Sequence, residues 1–178
     1  MSDRRPPHPP QTGFTMVELI VVMVIIGVLG AIGAGRFFDR SEFDSDVFAE
    51  QARALLRHAQ KTAIARNAPV HVLLDANRIA LCHEASDGDC PAASRVAAPG
   101  GAMGAAASST HCQADGWYCL GRPEGVSYAP SASLRRFFFD PLGRPLTADG
   151  SFDGLTLSIT GSGKARAVSV TRETGYVQ

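Results

Sequence analysis

Three regimes of hydrophobic patterning follow one another along this chain. From Leu19 to Gly35 no charged residue occurs, and Val, Ile, Leu, Met, Gly and Ala fill the stretch. At a 1.5 Å rise per residue, about 20 such residues cross a hydrocarbon core. Phe14–Gly35 therefore has the length of a membrane-spanning helix. From Ser41 to Arg66 the apolar positions become periodic. Phe48, Ala52, Leu55, Ala59 and Ala63 recur at steps of three and four, while Glu50, Arg53, Arg57 and Lys61 take other faces. This predicts an amphipathic helix that starts near Ser41, covers a sheet with its apolar stripe, and ends at Asn67 and Pro69. The two helical halves are expected to form one long rod.

Beyond Pro69 the period shortens to two. "PVHVLLD" and "RIALCHE" read as a β-hairpin around Ala76-Asn77, and "GVSYAP", "RRFFFDPLGRP", "LTLSIT" and "ARAVSVTRETGYV" supply further strands. Asp140-Pro141-Leu142-Gly143 and Gly161-Ser162-Gly163-Lys164 are turns. Short strands with short turns predict an antiparallel sheet. Pro91 to Ser109 is rich in Ala, Gly and Ser without a strand period, and reads as a flexible surface loop over about 91–110. The predicted class is thus α+β: a long N-terminal helix packed on an antiparallel β-sheet head.

Charge changes the picture at one place. The chain of 178 residues carries 17 basic and 17 acidic side chains, so nothing draws it in bulk to nucleic acid. Glu18, however, stands at the start of the apolar run. A carboxylate inside a membrane helix costs roughly 2.5–3.5 kcal/mol on insertion scales and marks function by default. The alternative is a side chain that snorkels to the cytoplasmic edge. Arg4 and Arg5 precede the run and favour a cytoplasmic N-terminus. Gly27, Ala31 and Gly35 lie four apart on one helix face; such rows allow close helix contact in membranes, and glycine is also common there for no such reason.

Gly13-Phe14-Thr15-Met16-Val17-Glu18-Leu19 resembles the signal of type IV pilins and type II secretion pseudopilins. The resemblance implies that a prepilin peptidase cuts after Gly13 on the cytoplasmic side and that Phe14 is then N-methylated. The apolar helix stays in the mature protein. Glu18 is implied to pair with the N-terminal amine of a neighbouring subunit, two charges that offset one another as subunits dock. Where relatives often carry a proline that bends the helix, this chain has Gly35. The turn "FDPLGRP", the paired last strands and the ending "ETGYV" resemble the GspH/FimT group, and Arg36–Arg66 is most similar to minor pilins of the MshC type.

The implied organisation is a leader at 1–13, a transmembrane or filament-core helix at 14–38, an amphipathic helix at 39–67 and a periplasmic head at 68–178. The implied place is the bacterial inner membrane, single-pass with the N-terminus cytoplasmic, and then a pilus or pseudopilus at the cell surface. Partners are other pilins or pseudopilins, the prepilin peptidase and the inner membrane. The role is that of a minor pilin in a filament or its tip complex, or a tip subunit of a type II secretion pseudopilus.

Cys82, Cys90, Cys112 and Cys119 are the only cysteines. In the periplasm disulfides persist, and four cysteines allow three pairings. Cys82–Cys90 with Cys112–Cys119 closes two short local turns; the nested pairing Cys82–Cys119 with Cys90–Cys112 would fasten the loop's base. A metal set of these cysteines with His83 and His111 lacks any C-x₂-C pair, so no metal and no cofactor is expected. His58 and His71 have no ligand set and read as surface or packing residues. No G-x-S-x-G and no H-E-x-x-H occurs, and "GSGKAR" lacks phosphate-loop spacing, so no catalysis is expected. Some minor pilins of this group bind DNA through basic residues near the C-terminus. Lys164, Arg166 and Arg172 would share one strand face, either as a modest phosphate-contacting patch or as a solvated face.

Overall fold

A computed structural model describes residues 14–37, 40–84, 90–101, 106–113, 116–131 and 133–178; at 32–37, 40, 106 and 107 it describes the backbone alone. The chain divides into two units, Met1–Phe38 and Asp39–Gln178. The first holds α1 (Met16–Phe37), helical through Gly35. Side chains of α1 are described only up to Ala31, and among the residues so described no helix is long and apolar enough to cross a membrane.

The second unit begins with α2 (Arg40–Arg66). The periodicity decides its orientation: Phe48, Ala52, Leu55, Ala59 and Ala63 are all buried. Asn67 ends it in the left-handed conformation (φ 49°), and the Ala68 amide returns to the Ala63 carbonyl. That closes the orphan carbonyls of the last turn.

Among the described residues, eight strands follow. β1 (Val70–Leu74), β2 (Arg78–Cys82), β3 (Cys119–Gly121), β5 (Arg136–Phe139) and β6 (Pro145–Leu146) form one antiparallel sheet in the order β3-β2-β1-β5-β6. β4 (Val126–Pro130), β7 (Leu155–Gly161) and β8 (Lys164–Val170) form a second, in the order β4-β7-β8. The head thus contains two sheets where the strand pattern predicts one. Alternation marks strands but carries no information on which edges meet.

α2 packs on β7, β8 and β1 and so bridges both sheets. Phe48, Leu55, Leu56, Phe137, Phe139 and Ile159 are fully buried between them. Each such side chain contributes about 1.5–3 kcal/mol relative to exposure. Tyr128 of β4 crosses to the first sheet, its hydroxyl donating to the Arg78 carbonyl at 2.7 Å. Burial pushes that phenol's pKa well above its ordinary range. His58 lies 5.0 Å from the Tyr118 ring and His71 5.2 Å from that of Phe138, between ring centroids. Both are held below the usual imidazole range, by burial first and then by Lys61 and Arg136 respectively.

The stretch expected to be a flexible surface loop is built differently. Ala92–Ser94 form a 3₁₀ turn and Ala106–Cys112 form α3. Between them Val96 and Ala98 are buried, Cys82 bridges Arg95, and Ala97 bridges Trp117. The Val96 amide donates to the Leu81 carbonyl, and the Val96 carbonyl accepts the Tyr118 amide. Residues 102–105 lie outside the described set. An Ala- and Gly-rich string has no period of its own; its order here is imposed by pairing with β2 and with residues 116–118.

Candidate processing and assembly segment

The described part of this segment begins at Phe14; Gly13 and the leader lie outside it. Thr15 precedes the first helical residue, and its Oγ1 accepts the Glu18 amide at 3.3 Å. The Leu19 amide reaches the Thr15 carbonyl at 3.3 Å. Thr-x-x-Glu is the spacing of a capping box, in which the hydroxyl satisfies an orphan donor of the first turn. Glu18 also places its carboxylate at the positive end of the helix dipole. Its side chain is exposed, so nothing in this chain pairs with it among the described residues.

From Phe14 to Ala31 every described position is exposed, including Phe14 at 79% and Met16 at 83%. Apolar residues surround the helix rather than forming a stripe. Such a helix is stable only when something covers it on all sides, lipid or other helices. Of the small-residue row, Gly27 has nothing within 4 Å of a Cβ placed on it and Ala31 is exposed, while Gly35 is described by its backbone alone.

In the head, the structure joins Cys82 to Cys90 and Cys112 to Cys119, with Cα separations of 6.0 and 5.9 Å. These cysteines enclose Trp117 in a small second core with Ala80. The Trp117 indole donates to the Leu81 carbonyl at 2.7 Å, and the Arg95 guanidinium lies 4.6 Å from its ring centroid. Among the described residues, no cluster of three or more His, Cys, Asp or Glu could hold a metal.

The three candidate DNA-contact cations are each set beside a carboxylate. Lys164 pairs with Glu42 and Arg166 with Asp46, both on α2. Arg172 lies past the end of β8, 3.4 Å from Asp153 and 3.8 Å from Glu173. Strand parity put Lys164 and Arg166 on one face, as the structure has it. It could not show that this face meets the acidic start of α2.

A feature that strand reading missed joins the two motifs at the end of the chain. Asp140 Oδ1 accepts the amides of Leu142 (2.9 Å) and Arg144 (2.8 Å), and the Arg144 guanidinium grips Oδ2 at 2.8 Å. Burial pushes the Asp140 pKa up, but these bonds outweigh it and hold the carboxyl below its usual range. Gln60 Nε2 then donates to the Gly143 and Thr174 carbonyls, both at 2.9 Å. Gly175 (φ 65°) leaves no room for a side chain: a Cβ would lie 2.6 Å from the Gly143 oxygen. A buried-facing glutamine near the end of α2 was the available signal.

A capped apolar helix with an early glutamate is thus joined in sequence to a helix-on-sheet head. Residues 9–34 match the prokaryotic N-terminal methylation motif. The fold is that of the type IV minor pilin FimU of Pseudomonas aeruginosa. One crystal form of that protein aligns at a TM-score of 0.51 and 14% identity, over 75% of this chain and 90% of FimU. A second form gives 0.50 and 16%, over 80% and 90%. The minor pseudopilin EpsH of the Vibrio cholerae type 2 secretion system aligns at 0.49 and 15%, over 79% and 95%. No curated protein sequence matches the chain.

Proposed function

We propose that this chain is a minor pilin or pseudopilin, a structural subunit that enters a filament or its tip complex through α1. In this reading prepilin peptidase removes residues 1–13 after Gly13, Phe14 is N-methylated, and residues 14–38 anchor the chain in the inner membrane. The N-terminus is cytoplasmic, and residues 39–67 with the head at 68–178 are periplasmic. α1 has 22 residues, about 33 Å of helix at the standard rise.

The observation that carries the reading is the apolar surface of α1, exposed on every side, together with one carboxylate at its capped start. Lipid covers that surface first, and sister helices cover it after extraction. Glu18 becomes tolerable in such a bundle by pairing with the new amine of a neighbouring Phe14. The test is a Glu18→Ala chain. Cleavage after Gly13 is expected to persist while incorporation into filaments is lost; normal incorporation would refute the role of Glu18. Sequencing the mature membrane form should begin at methylated Phe14.

The DNA-uptake reading gains no support from the head. Lys164, Arg166 and Arg172 spend their charge on neighbouring carboxylates, which leaves little field for phosphate.

A further inference from the structure

Each sheet of the head has two edge strands, and among the described residues three of the four are blunted. In the first sheet β6 is two residues long, and α3 packs against β3, where the Gly121 amide donates to Ser108 Oγ at 3.2 Å. In the second sheet β4 ends in Pro130, which has no amide to offer. The Val126 amide of β4 donates to the Pro123 carbonyl, and its carbonyl accepts from Arg122. Short length, proline and cover all keep an edge from pairing with another chain. β8, the fourth edge, has seven residues and no proline.

Ser169 and Gln178 exchange backbone hydrogen bonds at 2.9 and 3.0 Å, and the Thr171 amide donates to the Tyr176 carbonyl at 3.0 Å. The odd-numbered residues of β8 therefore turn their backbone groups away from β7. Residues 176–178 cover this edge at Ser169 and Thr171. Ala167 and Ala165 come next; both are exposed, and among the described residues their amides meet no acceptor. Their carbonyls are held only by long contacts of 3.4 Å, from Arg53 to Ala167 and from Arg166 to Ala165. The charged side chains that could blunt this edge are turned to α2, where Lys164 pairs with Glu42 and Arg166 with Asp46.

We propose that the open half of the β8 edge is a docking site for an extended segment of a different protein, added to the second sheet as a fourth strand. The segment runs antiparallel to β8, in line with residues 176–178, and exchanges backbone hydrogen bonds with Ala167 and Ala165. The residues already seated there show what the edge accepts. Val177 is buried beside Val170, and its carbonyl receives Arg57 at 2.9 Å. The next inward position lies beside Val168, so the partner sets an apolar residue there. Arg53 stands one turn before Arg57 on α2. An incoming amide takes the Ala167 carbonyl from Arg53 and frees that guanidinium for the partner's own outer carbonyl. A second copy of this chain fits poorly: two open β8 halves paired antiparallel would set Arg166 against Arg166, and like charges directly opposite destabilise a strand pair. The partner is thus an extended stretch recognised by its backbone, apolar beside Val168 and free of proline at its two bonded positions. The site lies wholly in the head and does not depend on how α1 is processed.

The test uses the full chain in native membranes, with a benzophenone amino acid replacing Ala165. Irradiation is expected to join it to one extended segment of a different protein, located by peptide mapping. Ala167→Pro removes the outward amide without touching a bond to β7 and should lower the yield about tenfold, whereas Ala167→Val keeps the amide and should retain the yield. No adduct, adducts scattered over many proteins, adducts only between copies of this chain, or the same yield in the proline and valine chains would overturn the site. Amide exchange in the unaltered chain gives a reading that does not need the proline chain to fold. The Ala165 and Ala167 amides should exchange about tenfold more slowly in native membranes than in the detergent-purified chain; equal rates in both would overturn the site.

Discussion

Asp140 shows how a single side chain sets a tertiary junction. Its carboxylate is buried, receives two amides and a guanidinium, and is held below the usual carboxylate range. A depressed folded pKa stabilises the fold above the unfolded value and is lost as pH falls through the folded one. His58 and His71, also depressed, resist protonation in the folded state and add to acid sensitivity below the ordinary imidazole pKa. Asp140→Asn is expected to cost about 1–3 kcal/mol at neutral pH and to flatten the acid limb of stability; urea unfolding of the detergent-solubilised chain across pH 3–7 checks both. Gly175→Ala should destabilise by a similar amount or more, through its left-handed backbone and its overlap with the Gly143 oxygen. A thermal midpoint equal to wild type would show that the junction yields.

Among the elements, α2 and the disulfide-bounded region behave as separate devices. α2 is held by an apolar stripe that was legible at once, because helical periodicity is a local property of the chain. The region from Cys82 to Cys119 was not legible, because its order comes from bridges between distant positions. Cys82 pairs with Arg95 and Ala97 with Trp117, around an indole buried by two disulfides. Changing Cys112 and Cys119 to Ser is expected to cost about 2–4 kcal/mol and to move Trp117 emission to longer wavelength. The main core should keep its far-ultraviolet circular dichroism. Non-reducing peptide mapping should recover Cys82 with Cys90 and Cys112 with Cys119; the nested pair in its place would count against this arrangement. Gly161 shows the cost of close packing: a Cβ there would collide with the Ser41 carbonyl of α2.

At the scale of the whole molecule, two surfaces call for opposite solvents. The unit Asp39–Gln178 buries its own core, whereas α1 buries none of its described side chains. A chain beginning at Asp39 should therefore fold cooperatively as a water-soluble head, and the complete chain should partition into membrane or detergent. Sedimentation and thermal unfolding of both forms test this, and an aggregated, non-cooperative head would contradict it. The sequence alone determined what contiguous residues can encode: the methylation motif over residues 9–34, the apolar helix, the buried stripe of α2 and the strand parity of Lys164 and Arg166. Tertiary structure decided what joins residues far apart in the chain. It split the strands into two sheets, set those cations against α2, and fastened the Asp140 turn to the Thr174–Gly175 turn through Gln60. The reason is physical: periodicity and capping act within a few residues, while charge pairing and packing depend on which distant surfaces meet.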